Sequence, residues 1–127
     1  MYPLVVFEPS DWLRFVQSQA FARDWARNGL DDDALRTLEV AIMACPDRWP
    51  LIEGTGGLRK IRFADPRSNR GKRGSFRVCY VYFEKYGSVW LVTVFGKNEK
   101  SDLSKADKSV ISKLIQEIEE LLESGAL

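Results

Sequence analysis

Apolar residues recur along this chain in two rhythms, a spacing near 3.6 in the first third and the last fifth and strict alternation in between. Pro3 to Glu8 reads as a short β-branched strand, after which Ser10 supplies a cap for a helix over Asp11 to Asn28, closed by Gly29. Asp31 opens a second helix. Its first turn is acidic (Asp32, Asp33), its apolar stripe is Leu35, Leu38, Ala41, Ile42 and Cys45, and Pro46 stops it. Beyond a turn-rich GTGG at 54–57, alternation predicts strands over Leu58–Ala64, Phe76–Glu84 and Val89–Phe95. Lys85-Tyr86-Gly87 is the expected tight hairpin between the last two, and 65–74 is expected to be an exposed, mobile loop. Ser104 to Asp107 resembles a capping box that starts a final helix, with a stripe at Val110, Ile111, Leu114, Ile115, Ile118, Leu121 and Leu122. The order predicts one α+β domain over 1–127. It would have an antiparallel (mixed) sheet, an N-terminal helical hairpin and a C-terminal helix, with the helices gathered on one side.

Composition narrows the class. A chain of 127 residues that is 45% hydrophobic and 12% aromatic can bury a core of its own. No apolar run approaches the roughly 20 residues of a membrane span, and no basic segment precedes the short apolar start, so a cytoplasmic protein is expected. Cys45 and Cys79 form no C-x-x-C, which argues against a zinc site and for two buried thiols in a reducing compartment. The absence of histidine removes the commonest general base and metal ligand, so any catalysis falls to Lys, Arg, Tyr, Asp or Glu, with neither metal nor cofactor expected.

A net charge of +1 conceals a segregation of charge. Residues 1–58 carry 5 basic and 9 acidic side chains, 59–77 carry 8 and 1, and 78–127 carry 6 and 8. Such a concentrated block suits a phosphate backbone, and its alternative is a merely solvated loop with charged flanks. Alternation puts Lys60 and Arg62 on one face of their strand and Ile61 and Phe63 on the other. A regular hairpin would bring Arg77 beside that pair, and Lys97, Asn98 and Lys100 would reach the same rim from the end of the third strand. Arg59 and the loop residues Arg67, Arg70, Lys72 and Arg73 extend the basic surface as RNA contacts.

Cleavage of RNA by its own 2′-hydroxyl needs a base, stabilisation of the phosphorane and an acid for the 5′-oxygen. Arginine supplies the stabilisation, and Lys60, crowded by Arg59, Arg62 and Arg77, would feel repulsion that favours its neutral, basic form. Simple phosphate binding without chemistry stays equally open. Tyr80 and Tyr82 share a strand face and are read first as sheet packing, second as a platform for a base. Glu99 is read as a surface partner of its flanking lysines rather than as the acid or base.

The runs IEGTGGLRKIRFA, GKRGSFRVCYVY and VFGKNEKSDLS, in that order, resemble the HigB branch of the RelE-like toxins of bacterial type II toxin-antitoxin modules. The resemblance spans the chain and is strongest from Ile52 to Leu103. It implies ribosome-dependent, metal-independent cleavage of mRNA, silenced by a HigA-like antitoxin whose helix-turn-helix domain, and not this chain, contacts operator DNA. Lys60 and Arg62 match the family's paired basic strand positions, and Arg77 matches the arginine before the V-x-Y run. Lys97 and Lys100 match the G-K-x-x-[KR] segment. Asn98 stands where several members have a catalytic arginine and Ser104 where some have a tyrosine, so the resemblance leaves the general acid and base unassigned.

Overall fold

A computed structural model of the chain describes residues 12–65, 75–96 and 102–127. Its elements run β1 (Arg14–Gln17), α1 (Gln19–Arg27), α2 (Asp32–Ala44), β2 (Leu58–Ala64), β3 (Ser75–Phe83), β4 (Ser88–Gly96) and α3 (Lys105–Glu123). The sheet order is β1-β4-β3-β2, with β1 parallel to β4 and the other pairs antiparallel, so the α+β class and the mixed sheet are as expected.

Three expectations are corrected. The first helix does not begin after Ser10, a residue that, like the Pro3–Glu8 run, lies outside the described residues. Residues 14–17 form β1 instead, because the edge of β4 offers them a parallel ladder from Arg14↔Ser88 to Gln17↔Leu91. Helix α1 starts one residue after Ser18, whose hydroxyl accepts from Phe21 N at 3.0 Å. That hydroxyl also donates to the Val92 carbonyl at 2.7 Å. Val92 sits at a bulge, where Cys79 opposes Thr93 and Tyr80 opposes Leu91, so Ser18 takes up a carbonyl at a break in the β3–β4 ladder.

The helices, secondly, cover both faces of the sheet, because β3 is apolar on both sides and β2 adds Leu58 to the second face. Ile61, Phe63, Val78 and Tyr80 pack with α1 and α2 through Phe21, Trp25, Leu38 and Ile42. Leu58, Cys79, Val81 and Phe83 pack with α3 through Ile111, Ile115, Ile118 and Leu122. Thirdly, α3 turns Val110 and Leu121 outward, 67% and 44% exposed, since its buried stripe is one residue wide per turn.

The 66–74 stretch of the expected loop lies outside the described residues, and other local readings within them hold. Asp31 caps α2 through Ala34 N (2.9 Å), although Ala34 joins its buried face and Cys45 caps its end rather than extending the stripe. The Ser104–Asp107 capping box is complete on α3, with bonds of 3.0 and 3.2 Å. A single 3₁₀ turn over Glu84–Tyr86 and a left-handed Gly87 (φ 57°) link β3 to β4. Cys79 is buried and Cys45 only partly so, and neither forms a disulfide. No helix of the described residues is long and apolar enough to cross a membrane.

Candidate nucleic-acid interface

The basic residues of β2 and β3 meet because the hairpin is in regular register. Lys60 faces Cys79 and Arg62 faces Arg77, all on the sheet side that α3 covers farther along, where Leu58 opposes Val81. Arg77 in turn faces Phe95 on β4, a buried neighbour that the sequence reading did not include. The only signal for it was the alternation that ends at Gly96. Arg62 is exposed, while Lys60 and Arg77 are half-buried.

Two arginines directly opposite on antiparallel strands repel one another and cost the sheet stability. No carboxylate among the described residues pairs with Lys60, Arg62 or Arg77. The Arg77 Nη1 atom, moreover, is buried without a hydrogen-bond partner. A guanidinium nitrogen out of water and unbonded is an energetic debt that an incoming anion can settle. The register sets two arginines on facing strand positions and a flexible amine one strand repeat away, about 7 Å.

Arg59 does not join this group. Alternation turns it to the opposite face, where its Nη1 donates to the Trp49 carbonyl at 2.7 Å, so the crowding expected around Lys60 comes from Arg62 and Arg77 without it. Tyr80 is packing: fully buried on that opposite face, its hydroxyl donates to the Pro46 carbonyl at 2.7 Å. Burial pushes its phenol well above the ordinary range, offset in part by the nearby Arg59 guanidinium. Tyr82, half-buried beside it in sequence, is raised by burial and by Glu84 and Asp47. The edge of β2 is covered by the preceding segment, through Ile52 N to Leu58 O at 2.7 Å and Lys60 N to Pro50 O at 3.0 Å. That segment holds the Lys60 backbone in place.

Lys97, Asn98, Glu99 and Lys100, and likewise Arg67, Arg70, Lys72 and Arg73, lie outside the described residues. The flanking residues do have known places: Ala64 pairs with Ser75 and Phe76 with Gly96, at the same end of the sheet as the Arg62–Arg77 pair. Among the described residues no group of three or more carboxylate or thiol side chains gathers where a metal ion would be held.

No protein-family model matches the chain. Among solved structures, the chain is similar to a double-arginine mutant of the Escherichia coli toxin RelE in the free state, at 16% identity and a TM-score of 0.49, covering 71% of this chain and 88% of that one.

Proposed function

We propose that this protein is the toxin of a type II toxin-antitoxin module, of the RelE-like superfamily and its HigB branch, and that it cuts mRNA on the ribosome. The observation that carries the reading is the Lys60–Arg62–Arg77 group: three cations on one sheet face, without a carboxylate partner among the described residues, one with a buried unbonded nitrogen. They occupy the strand positions at which the sequence resembles that family. In this reading the 2′-oxygen attacks the adjacent phosphorus, its proton passes to Lys60, and the bond from phosphorus to the 5′-oxygen breaks. Arg62 and Arg77 hold the equatorial oxygens while charge builds on them, and the proton for the leaving 5′-oxygen comes from a group still to be assigned. The reading includes Lys97 and Lys100 as further contributors, Asn98 and the loop cations as RNA contacts, and a HigA-like antitoxin as the silencing partner.

Primer extension on mRNA from a purified translation system tests it. New 3′ ends are expected only when both ribosomes and the protein are present. Lys60→Ala and Arg77→Ala should each lower cleavage by about 10²-fold or more, the scale of losing a general base or one charge stabiliser. Translation that stops without new mRNA ends would replace the nuclease by a module that only binds RNA.

A further inference from the structure

A second cationic cleft lies where α3 begins. Lys105, Lys108, Ser109, Ser112 and Lys113 recur at i, i+3, i+4, i+7 and i+8, so they share one helical face beside the buried stripe. The opposite wall is the 53–57 turn, and the two enclose an open cleft of about 580 Å³ with Glu53 and Gly54 on its rim. That wall is rigid: Thr55, fully buried, donates to the Ile52 carbonyl at 2.6 Å and accepts from Leu58 N at 3.1 Å. Gly54 and Gly56 take φ of +83° and +78°, a left-handed backbone that favours glycine, and Gly56 lies beside the Ser112 hydroxyl.

Apart from Asp107 of the capping box, the charges at the ends of this helix oppose its dipole. Lys105 and Lys108 sit at the positive end of the macrodipole and Glu119, Glu120 and Glu123 at the negative end, each placement unfavourable by a few tenths of a kcal/mol. Among the described residues none of the three lysines forms an ion pair. Uncompensated departures of this kind mark positions kept for something other than folding. Leu58, buried under α3, follows this turn directly, and Lys60 stands two residues on along the same strand face, about 7 Å away.

We infer that Lys105, Lys108 and Lys113, with the hydroxyls of Ser109 and Ser112, form a docking cleft for the phosphate backbone of RNA. The cleft continues the track that leads to Lys60, Arg62 and Arg77. Glu53 is its one carboxylate and weakens the pull on phosphate. The inference extends the nuclease reading but is measured by binding, so the two fail separately.

The test is fluorescence anisotropy of the full chain with a short labelled single-stranded RNA, and sedimentation with isolated small ribosomal subunits, between about 50 and 200 mM salt. Replacing all three lysines by Gln keeps the helix propensity, and circular dichroism checks that the fold is retained. Affinity should fall by at least about tenfold at low salt. The slope of log affinity against log salt should become shallower by about 2, at ~0.7 per phosphate contact on a single strand. The triple Lys→Arg variant should bind as the wild type does, and Glu53→Gln should bind two- to threefold more tightly, by loss of one repelling charge. Loss on both probes assigns the cleft to any RNA strand, and loss on the subunit alone assigns it to ribosomal RNA. Wild-type affinity and slope in the Gln variant, or failure of the Arg variant to restore binding, would overturn the inference. Lysine-dependent binding by a protein that makes no new mRNA ends keeps the cleft and removes the nuclease.

Discussion

Arg62 and Arg77 show how much a single register carries. The alternation that separates Lys60 and Arg62 from Ile61 and Phe63 is legible in the sequence, but the opposition of Arg62 to Arg77 depends on where β3 starts, and that no local pattern reveals. Arg59 was misplaced for a related reason: a count of charges in a segment ignores which way each one faces. Tyr80 illustrates the opposite case, a polar atom with a purely structural task. Its hydroxyl is the partner of the Pro46 carbonyl just past α2, so Tyr80→Phe should cost about 1–2 kcal/mol near neutrality, as a lost bond that leaves a carbonyl unpaired. The fold keeps this phenol neutral to higher pH than the unfolded chain does. Above about pH 10 the unfolded chain therefore releases a proton that the folded chain retains. The stability tied to Tyr80 is complete below that pH and is lost as pH rises beyond it. Urea denaturation at about pH 8 and about pH 10.5 should show the gap between wild type and Tyr80→Phe narrowing at the higher value. A constant gap would mean that the phenol ionises equally in both states.

Among the elements, α2 and α3 were legible because their first turns carry their own signals, Asp31 with two following acids and Ser104 with Asp107. β1 was not. Trp12, Phe15 and Val16 fit a helical stripe as well as a strand, and what decides between them is the unpaired edge of β4, some seventy residues away. Placement of α3 on the far face was equally hidden, since β2 and β3 read as half-buried strands until both of their faces are found covered. Ser18 joins the two ends of this arrangement by capping α1 and bonding the bulge carbonyl of Val92. Its replacement by Ala removes both contacts at once, so Ser18→Ala should destabilise by about 2–3 kcal/mol, more than the ~1 kcal/mol of an ordinary cap. Ser104→Ala on α3 is the matched control, with a loss near 1 kcal/mol in the same equilibrium unfolding measurement. Equal losses from the two would mean that the Val92 bond contributes nothing net.

For the whole molecule, electrostatics and packing pull apart. Both sheet faces are buried under helices, except toward the end where Ala64 pairs with Ser75, and there the described cations stand without counter-charge. Folding gathers like charges that the unfolded chain can spread out, so the cluster lowers the stability of the fold. Salt then acts with opposite signs on the two properties. Raising it from about 0.05 to 0.5 M shortens the screening length from about 14 to 4 Å. The repulsion among Lys60, Arg62 and Arg77 is thereby damped and Tm should rise, while the proposed RNA binding should weaken because counterion release is less favourable. Arg62→Thr removes the exposed member of the cross-strand pair. The variant should start about 0.2–1 kcal/mol more stable than the wild type at low salt and gain less as salt is added. Thermal melts of both proteins across the salt series measure the difference directly. Parallel curves would show that the cluster is already relieved by solvent and imposes no strain on the fold. Converging curves would show that the fold gives up stability to hold these cations together.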